Sequence, residues 1–403
     1  MPFANTAPLR REIESRISER PFAVEFWDGT SLPSSTSAGP TFFVRSPQAV
    51  AHALLAPGQL GLGRAYVSGE LEVDDIEAVI GLLDGWQPPA LSGADKRALL
   101  LGAARAMGLT RPPKRPAAEL HLSGRRHSRE RDARAVRHHY DVSNEFFELF
   151  LGPTMVYSCA IFSRGAETLE AAQEEKLETV ARKLALQGGE RVLDVGCGWG
   201  AFPLWAATKH GASVLGITLS PPQAERAQRR AEEAGVADRV EIRVMDYRDL
   251  TGSGERFDAI ASIGMVEHVG TAQIDVYART LAGLLGPGGR LLNHGISRLR
   301  HTDAEAGAFS ERYVFPDAAP LHLSRVLLAL ERAGFETRHV EDFAPDYAET
   351  LRRWARNLDD NLDEAIRLAG PERVRVWRLY LRAARNGFES GFTSIYQARC
   401  ELA

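Results

Sequence analysis

Cysteine is scarce in this chain, and neither cysteine nor histidine is spaced as a metal site requires. The 403 residues include three cysteines far apart from one another: Cys159, Cys197 and Cys400. We therefore expect no disulfide framework and a reducing, cytoplasmic compartment. No HxxxH or Cys–His spacing connects the histidines considered as ligands, which are His138, His139, His268 and His294. The sequence therefore predicts no metal site.

Long apolar runs and a surplus of charge are also lacking. No stretch approaches the roughly 18 apolar residues of a spanning helix, and the polar N-terminus does not resemble a signal peptide. A formal net charge of −4 gives no general attraction to nucleic acid, so any basic surface must be local. The basic segment 111–137 is either a solvated connector or a patch for anionic lipid headgroups. A C-terminal set of arginines either faces lipid phosphates or lies on a solvated helix face paired with local acids; that set is Arg373, Arg375, Arg378, Arg382 and Arg385.

A glycine-rich turn is the most informative feature that is present. In VLDVGCGWG, residues 192–200, an apolar strand ends at Asp194 and a helix begins near Trp199, with glycines at alternate positions, Gly196, Gly198 and Gly200. Glycine lets the backbone approach a ligand closely and adopt a positive φ. The N–H groups at the helix start then face a polar ligand group. The turn predicts a nucleotide-type cofactor site.

The residues after the turn indicate which nucleotide binds. A dinucleotide site expects an acid about 20 positions later, at the end of the second strand. Here the strand at 212–217 continues into Thr218 and Leu219 without an acid, while Asp194, Gln223 and Asp246 offer polar groups elsewhere. This pattern is similar to class I S-adenosylmethionine (SAM) methyltransferases, in which an Asp after the third strand reads the adenine amino group. The sequence favours SAM, with NAD as the alternative.

The length of the chain predicts two domains. Residues 1–112 carry no evident acid, base or metal set, and we predict a small α+β accessory domain there. Strands are expected at 22–26 and 41–45, with a hairpin signal between them at 27–30. Helices are expected at 47–55 and 75–83, and residues 58–75 are interpreted as packing turns. A basic linker at 113–132, with a helix emerging near Arg129, precedes a catalytic domain at 133–403.

An unusually aromatic segment at 133–162 precedes the glycine-rich turn. It embeds polar residues that need partners if buried, namely Tyr140, Asp141, Tyr157, Ser158 and Cys159. From here on, a set of motifs occurs in order: HYDVSNEFFELFLGPTMVYSCAIF, VLDVGCGWG, ITLSPPQ, MDYRDL, SIGMVEHVG, NHGIS, RYVFP and PDYAETLRRW. Together they resemble the cyclopropane fatty acid synthases and the related mycolic acid cyclopropane synthases over residues 133–403. The N-terminal unit resembles the extra domain of the longer bacterial synthases.

The resemblance implies an α/β fold, the Rossmann-like seven-stranded sheet of class I SAM methyltransferases with helical inserts. The later elements expected from the sequence are strands at 257–262, 290–296 and 335–343, helices at 271–285, within 302–333 and at 346–386, and a last antiparallel strand at 393–400. The inserts are expected to cover an acyl channel.

The resemblance also implies site residues. Tyr157 and Ser158 would approach the methionine end of SAM, Thr218 and Gln223 the ribose, and the set is completed by Asp194, Gly196, Gly198, Gly200, Leu219, Asp246 and Tyr247. A bicarbonate pocket would be formed by Cys159, Glu267, His294, Ile296 and Tyr347, with Cys159 and Ile296 contributing through their backbones. Aromatic faces that could stabilise a carbocation are Tyr140, Phe309, Tyr313 and Phe315.

The implied function is methyl transfer from SAM to the cis double bond of a phospholipid acyl chain. A carbocation would form, and bicarbonate would accept a proton as a cyclopropane ring closes. The enzyme would be a homo-oligomer at the inner face of the membrane. Alternatives are a methylene product that a partner reductase converts to a methyl branch, a catalytically silent lipid- or SAM-binding protein, and a small-molecule O- or N-methyltransferase.

Overall fold

The structure, a computed structural model, describes residues 5–36, 39–108, 111–120, 122, 124–140, 142–300 and 307–403. Two compact units are distinguished. The first contains the described residues up to Leu120 together with Gly307–Tyr313 and Gly370–Ala383, and the second contains the others. The domain boundaries expected from sequence stay a prediction. Asp141 and the start of the predicted helical segment 302–333 lie outside the described residues.

The first unit contains a four-stranded sheet and several helices. In chain order its N-terminal elements are α1 (Ala7–Arg16), β1 (Ala23–Phe26), β2 (Ser31–Leu32), β3 (Thr41–Val44), α2 (Pro47–Leu55), α3 (Gln59–Val67), β4 (Leu71–Val73), α4 (Ile76–Gly85) and α5 (Gly93–Met107). The strand order is β2-β1-β3-β4. The apolar core of this unit forms around Val24, Phe26 and Leu32.

Two expectations about this unit were wrong. The strand at 41–45 exists as β3, but it runs parallel to β1, and the hairpin partner is the short strand β2, which is antiparallel to β1. The glycine-containing stretch 58–75, interpreted as packing turns, contains helix α3 and strand β4. Close packing does explain one of its glycines, because a Cβ on Gly63 would lie 2.3 Å from the ring of Phe309.

The second unit is built on a seven-stranded sheet. Its elements are α6 (Arg129–Tyr140), α7 (Asn144–Leu151), α8 (Leu169–Lys183), β5 (Arg191–Val195), α9 (Ala201–His210), β6 (Ser213–Thr218), α10 (Pro221–Glu233), β7 (Val240–Val244), β8 (Phe257–Ile263), α11 (Ile274–Gly283), β9 (Leu285–Arg298), α13 (Leu323–Arg332), β10 (Phe335–Asp342), α14 (Ala344–Asp360), α15 (Leu362–Ala369) and β11 (Thr393–Leu402). The first unit also takes α12 (Ala308–Tyr313), and α16 spans Pro371–Glu389.

The sheet has the order β10-β11-β9-β8-β5-β6-β7. Strands β5 to β9 are parallel to one another, while β11 inserts antiparallel between β9 and β10. The predicted seven-stranded α/β sheet with a last antiparallel strand is confirmed. Because the parallel strands share one carboxyl edge, the polar residues that follow β5, β6 and β8 are brought together there.

Apolar side chains of the central strand β5 point alternately to the two faces of the sheet, and both faces are buried. Val192 packs with Val214 in one apolar cluster, whereas Leu193 and Val195 pack with Leu215 in another. Side chains that alternate between faces give a nearly continuous apolar sequence when both faces are covered. This burial fixes where β5 ends, and therefore where the glycine-rich turn begins.

The C-terminal helical region differs from expectation. The single helix predicted at 346–386 is three helices, α14, α15 and α16. Gly370 interrupts it with a φ of +78°, and Pro371 begins α16. Proline suits the first turn of a helix but lacks the N–H that a continuous helix would require, so the break falls at this pair.

Candidate active site

A cleft in the second unit opens at the carboxyl edge of the sheet. β5, β6 and β7 deliver polar residues to it, and α6, α8 and the segment around Tyr157 complete its walls. Ten of the predicted cofactor residues line it: Tyr157, Ser158, Asp194, Gly196, Gly198, Thr218, Leu219, Gln223, Asp246 and Tyr247. Gly200 is not part of the lining. Their individual roles stay predictions, but the fold brings these ten residues to one place.

Glycine is required at the positions of the turn for different structural reasons. All adopt positive φ, at +83° for Gly196, +52° for Gly198 and +81° for Gly200. A Cβ on Gly198 would meet nothing within 4 Å and would stand in the open cleft, whereas a Cβ on Gly200 would lie 2.9 Å from Ala227 of α10. Gly198 therefore keeps the cleft open, and Gly200 permits helix packing.

Fewer N–H groups of the turn are available to a ligand than the sequence suggests. The N–H groups of Gly196 and Cys197 both donate to Ile217 O, at 3.0 and 2.9 Å, and that of Gly200 donates to Cys197 O. These bonds fix the turn against β6. Among the described residues, Gly198 is the glycine of the turn whose N–H makes no such bond.

Neutral polar groups occupy the end of β6, where a dinucleotide site would have an acid. The Thr218 hydroxyl donates to Gln223 Oε1 at 2.8 Å, and it accepts from the Ser220 N–H at 3.2 Å. Both side chains are buried. The bond holds Gln223, on the first turn of α10, in a fixed orientation beside the cleft.

Asp246 is held by an ion-pair network that sequence reasoning missed. The Arg248 guanidinium donates to both Asp246 oxygens, at 2.8 and 2.5 Å, and to Asp132 of α6 at 2.9 Å. The Arg248 N–H also donates to Asp246. The signal was present in MDYRDL, where an arginine follows the acid by two positions. Burial raises the pKa of the adjacent Tyr247 to about 12, so it stays a neutral phenol.

A second missed feature is a pair of buried opposite charges in the cleft. Lys176 of α8 and Asp194 of β5 each have 2% of their surface exposed, and both line the cleft. Burial lowers the pKa of Lys176 to about 8 and raises the pKa of Asp194 to about 7. The available signal was the position of Lys176 between Ala172 and Val180 on the apolar face of α8.

Glu267 and His294, two of the residues assigned to the bicarbonate pocket, are deeply buried near the same sheet edge. Glu267 Oε1 accepts from the Ile296 N–H at 2.6 Å, while its Oε2 has no hydrogen-bond partner among the described residues. Burial raises the pKa of Glu267 to about 7. His294 Nδ1 lies 3.3 Å from the amide nitrogen of Gln397, and its Nε2 likewise has no partner in the described part of the chain.

Cys159 and Tyr347 are connected to this region through Phe343. The Cys159 thiol lies 3.7 Å from Phe343 O, and the Tyr347 N–H donates to the same carbonyl at 3.0 Å. The rings of Phe343 and His294 are 6.3 Å apart. Burial raises the pKa of the Cys159 thiol and lowers the pKa of His294, so both are neutral. Cys159 and Tyr347 therefore both contact Phe343, while the Tyr347 ring packs against the ring of Phe388 at 4.8 Å. The binding of bicarbonate by the five residues stays a prediction.

The predicted aromatic residues do not all lie together. Tyr140 lines the cleft, with its ring 6.1 Å from those of Tyr157 and Trp199. Tyr313 belongs to the first unit, where its hydroxyl donates to Glu119 at 3.1 Å. Glu119 forms a bidentate pair with Arg64 there, and Phe309 stacks on Tyr313. The catalytic role of Tyr313 stays a prediction.

Comparison with known proteins identifies relatives along most of the chain. A family described as mycolic acid cyclopropane synthetase matches residues 127–398. A probable fatty acid methyltransferase of Pseudomonas putida is 37% identical over 94% of this chain and 91% of its own. The cyclopropane-fatty-acyl-phospholipid synthase of Escherichia coli is 31% identical over 89% and 85%, respectively.

Among solved structures, a mycolic acid cyclopropane synthase in complex with S-adenosylhomocysteine (SAH) and CTAB is similar, with a TM-score of 0.63 and 32% identity. The similarity covers 67% of this chain and 98% of that one. The sheet of the second unit is thus that of a class I SAM methyltransferase. The residues present suit such a cofactor, since Asp194 Oδ1 is buried in the cleft without a partner among the described residues and Gly198 leaves space before it.

We expect Gly198→Val to abolish binding of SAH, measured by isothermal titration calorimetry, because the side chain would fill the cleft. Gly235→Val is the matched control, since Gly235 also has a positive φ, +67°, with nothing within 4 Å of its Cβ, but does not line the cleft. Both variants should lose about 1–2 kcal/mol of stability from the left-handed backbone. Equal SAH affinity in the two variants would refute the location of the site.

Proposed function

Because the chain belongs to the mycolic acid cyclopropane synthetase family, we propose that it methylates the cis double bond of a phospholipid acyl chain and closes a cyclopropane ring. The observation that carries the proposal is the presence of two unsatisfied buried atoms, Glu267 Oε2 and His294 Nε2. Buried polar atoms without a partner are rare and costly, which supports a small polar ligand between these elements. The predicted bicarbonate has the required chemistry.

The first step demands a dry, well-oriented site. SAM supplies an electrophilic methyl group, which a weakly nucleophilic double bond reaches only if the two are held in line. The ten cleft residues would bind and orient the cofactor, and the aromatic walls would exclude water from the cation that follows. Tyr140 offers a ring face whose quadrupole stabilises positive charge.

The second step removes a proton from the added methyl group. Gln397 donates its amide N–H to His294 Nδ1, which leaves the ring proton of the neutral imidazole on Nε2. His294 Nε2–H and the Tyr347 hydroxyl would donate to bicarbonate, and the Glu267 carboxylate would accept from it. Held in this way, an unprotonated oxygen of the anion would accept the proton, which converts bicarbonate to carbonic acid.

A methylene product is the second candidate. The P. putida relative is named a probable fatty acid methyltransferase, and that name does not specify a ring. Loss of a different proton from the same cation would give an exocyclic methylene group, to be reduced by a partner enzyme. The Glu267 and His294 arrangement offers a place for a base, which both products require, and ring closure is preferred here because the five residues implied by the resemblance to cyclopropane synthases are all present. The same unsatisfied polar atoms argue against a catalytically silent protein.

We expect incubation with SAM and a cis-unsaturated phospholipid to give cyclopropane ring protons at high field in the proton NMR spectrum of the product. Vinylidene signals in their place would reject ring closure and favour the methylene product. If no SAH is formed, although the same preparation binds SAH, the methyltransferase proposal itself is rejected.

Glu267→Gln should reduce turnover by at least about 100-fold while leaving SAH affinity within a few-fold. In the unsubstituted enzyme, turnover should rise with pH through about 7, because the raised pKa of Glu267 means that its carboxylate forms only in that range. Glu241→Gln, on the exposed part of β7, is the control and should keep both rate and pH profile. Unchanged turnover in Glu267→Gln would remove this residue from the mechanism.

Attachment to a lipid surface is part of the proposal, and α5 of the first unit supports it. None of the described helices is long and apolar enough to cross a membrane. α5 exposes Leu100 and Leu101, by 50% and 56%, beside the exposed cations Lys96, Arg97 and Arg105. Within the described part of the chain, the side chains of these three cations form no ion pair or hydrogen bond. Apolar residues flanked by free cations match an anionic lipid surface.

The two basic regions considered from sequence are less suited to this role. In the C-terminal set, Arg375 pairs with Glu72 at 3.0 Å and Arg382 with Glu77 at 2.7 Å. In the basic segment, Arg131 pairs with Asp317 at 2.5 Å. An arginine that already forms an ion pair with an acid gains little free energy by binding a lipid phosphate. We therefore interpret these arginines as partners of nearby acids.

The double variant Leu100→Glu, Leu101→Glu should weaken binding to phosphatidylglycerol vesicles by at least about tenfold in a flotation assay, since each buried leucine contributes about 1.5–3 kcal/mol. Leu328→Glu is the control, because Leu328 is a similarly exposed leucine of the second unit, at 46%. Equal loss in both variants, or loss in neither, would refute α5 as the attachment surface.

A further inference from the structure

Strands β9 and β11 run past the end of β8 and finish in an exposed apolar pair. The register between β8 and β9 leaves the last four residues of β9, which ends at Arg298, beyond the end of β8. β11 stays paired with β9 as far as Thr393, opposite Arg298. The adjoining side chains, Leu299 and Phe392, are 41% and 49% exposed. Because β8 and β9 are parallel, this pair lies at the carboxyl edge of the sheet, where the cleft opens.

The turn before β11 holds the pair in place. A Cβ on Gly391, which has a φ of +71°, would lie 3.8 Å from the Leu299 side chain, so the two strand ends are adjacent. The Phe392 N–H donates to Gly387 O at 2.9 Å, which fixes the turn to the end of α16. Phe392 is the most exposed aromatic residue in the described part of the chain. Single exposed apolar residues are ordinary, but two adjacent ones on a fixed turn indicate an interaction surface.

The charge beside the pair indicates which partner it contacts. Arg300 follows Leu299 directly, is exposed, and forms no ion pair or hydrogen bond with any other described residue. Apolar side chains next to a free cation match an anionic lipid surface. In a symmetric dimer centred on the pair, each Arg300 would instead face the same residue of the other copy, and like charges oppose such a contact.

The distance from the pair to Glu267 suits an acyl chain. Ile296 of β9, whose N–H donates to Glu267, precedes Leu299 by three residues. That separation is about 10 Å along an extended strand. One leaflet of a bilayer holds roughly 15 Å of hydrocarbon, half the thickness of the apolar core. An acyl chain can therefore reach Glu267 while its headgroup stays at the lipid surface.

We propose that Leu299, Phe392 and Arg300 form the surface through which the second unit meets an anionic lipid bilayer. Leu299 and Phe392 insert among the acyl chains, and Arg300 binds lipid phosphate. The inference rests on the acyl substrate of the proposed function, and it names the face of the catalytic unit through which that substrate enters. It is independent of attachment through α5, which belongs to the first unit.

The first test places the fluorophore nitrobenzoxadiazole on a Phe392→Cys variant, which is feasible because all three natural cysteines are buried. Phosphatidylglycerol vesicles should raise its emission at least about twofold and shift it to shorter wavelength, because the probe leaves water. Leu328→Cys, at a similarly exposed site of α13, is the matched control and should stay unchanged. No rise at position 392, or equal rises at both positions, would overturn the proposal. A rise that follows protein concentration without vesicles would also overturn it, since a second copy would then cover the pair.

The second test measures turnover with unsaturated phosphatidylglycerol vesicles. Phe392→Glu should raise the KM for vesicles at least about tenfold and leave kcat within about threefold, because the residue acts in reaching the lipid and not in the chemistry. Its SAH affinity should stay within about twofold, which shows that the variant is folded. An unchanged KM would overturn the proposal. The probe measures insertion without turnover, so failure of this surface is distinguishable from failure of the proposed reaction, in which no variant forms SAH.

Discussion

The site depends on buried polar atoms that have no hydrogen-bond partner within the described protein. In the proposed reaction a carbocation survives only where water is excluded, yet a charged cofactor and a base must enter the same enclosure. Carboxylate, imidazole and ammonium groups lie at the carboxyl edge of an otherwise apolar sheet. Glu267, His294, Asp194 and Lys176 are each almost completely buried there. Glu267 Oε2, His294 Nε2 and Asp194 Oδ1 have no hydrogen-bond partner among the described residues.

Hydrogen bonds within the protein fix the turn and the polar side chains that line the cleft. The amides of Gly196 and Cys197 are tied to β6, Gln223 is oriented by Thr218, and Asp246 is fixed by Arg248. Polar groups that are already oriented lose little freedom when a ligand binds. The cleft is thus organised before the cofactor arrives, and the apolar faces of β5 hold it in place.

Sequence reasoning found the parts of this site that depend on neighbours along the chain. The strand, turn and helix from 191 to 210 are encoded locally, by an apolar run followed by glycines, and the ordered motifs supplied the remaining strands. Contacts between distant elements escaped it. Arg248 meets Asp132 across 116 positions, and Lys176 acts from a helix that precedes the turn. The break at Gly370 was missed because the arginine-rich pattern continues across it.

The first unit is made of chain segments that are far apart in sequence, and this has a consequence for its folding during synthesis. Gly307–Tyr313 and Gly370–Ala383 belong to it, so its packing draws on residues translated about 290 and about 350 positions after its first helix. As the ribosome releases the N-terminal portion, that portion must wait, incompletely packed, until almost the whole polypeptide has emerged. Contacts so distant in sequence slow folding, and the exposed apolar surface in the interval makes chaperone assistance valuable.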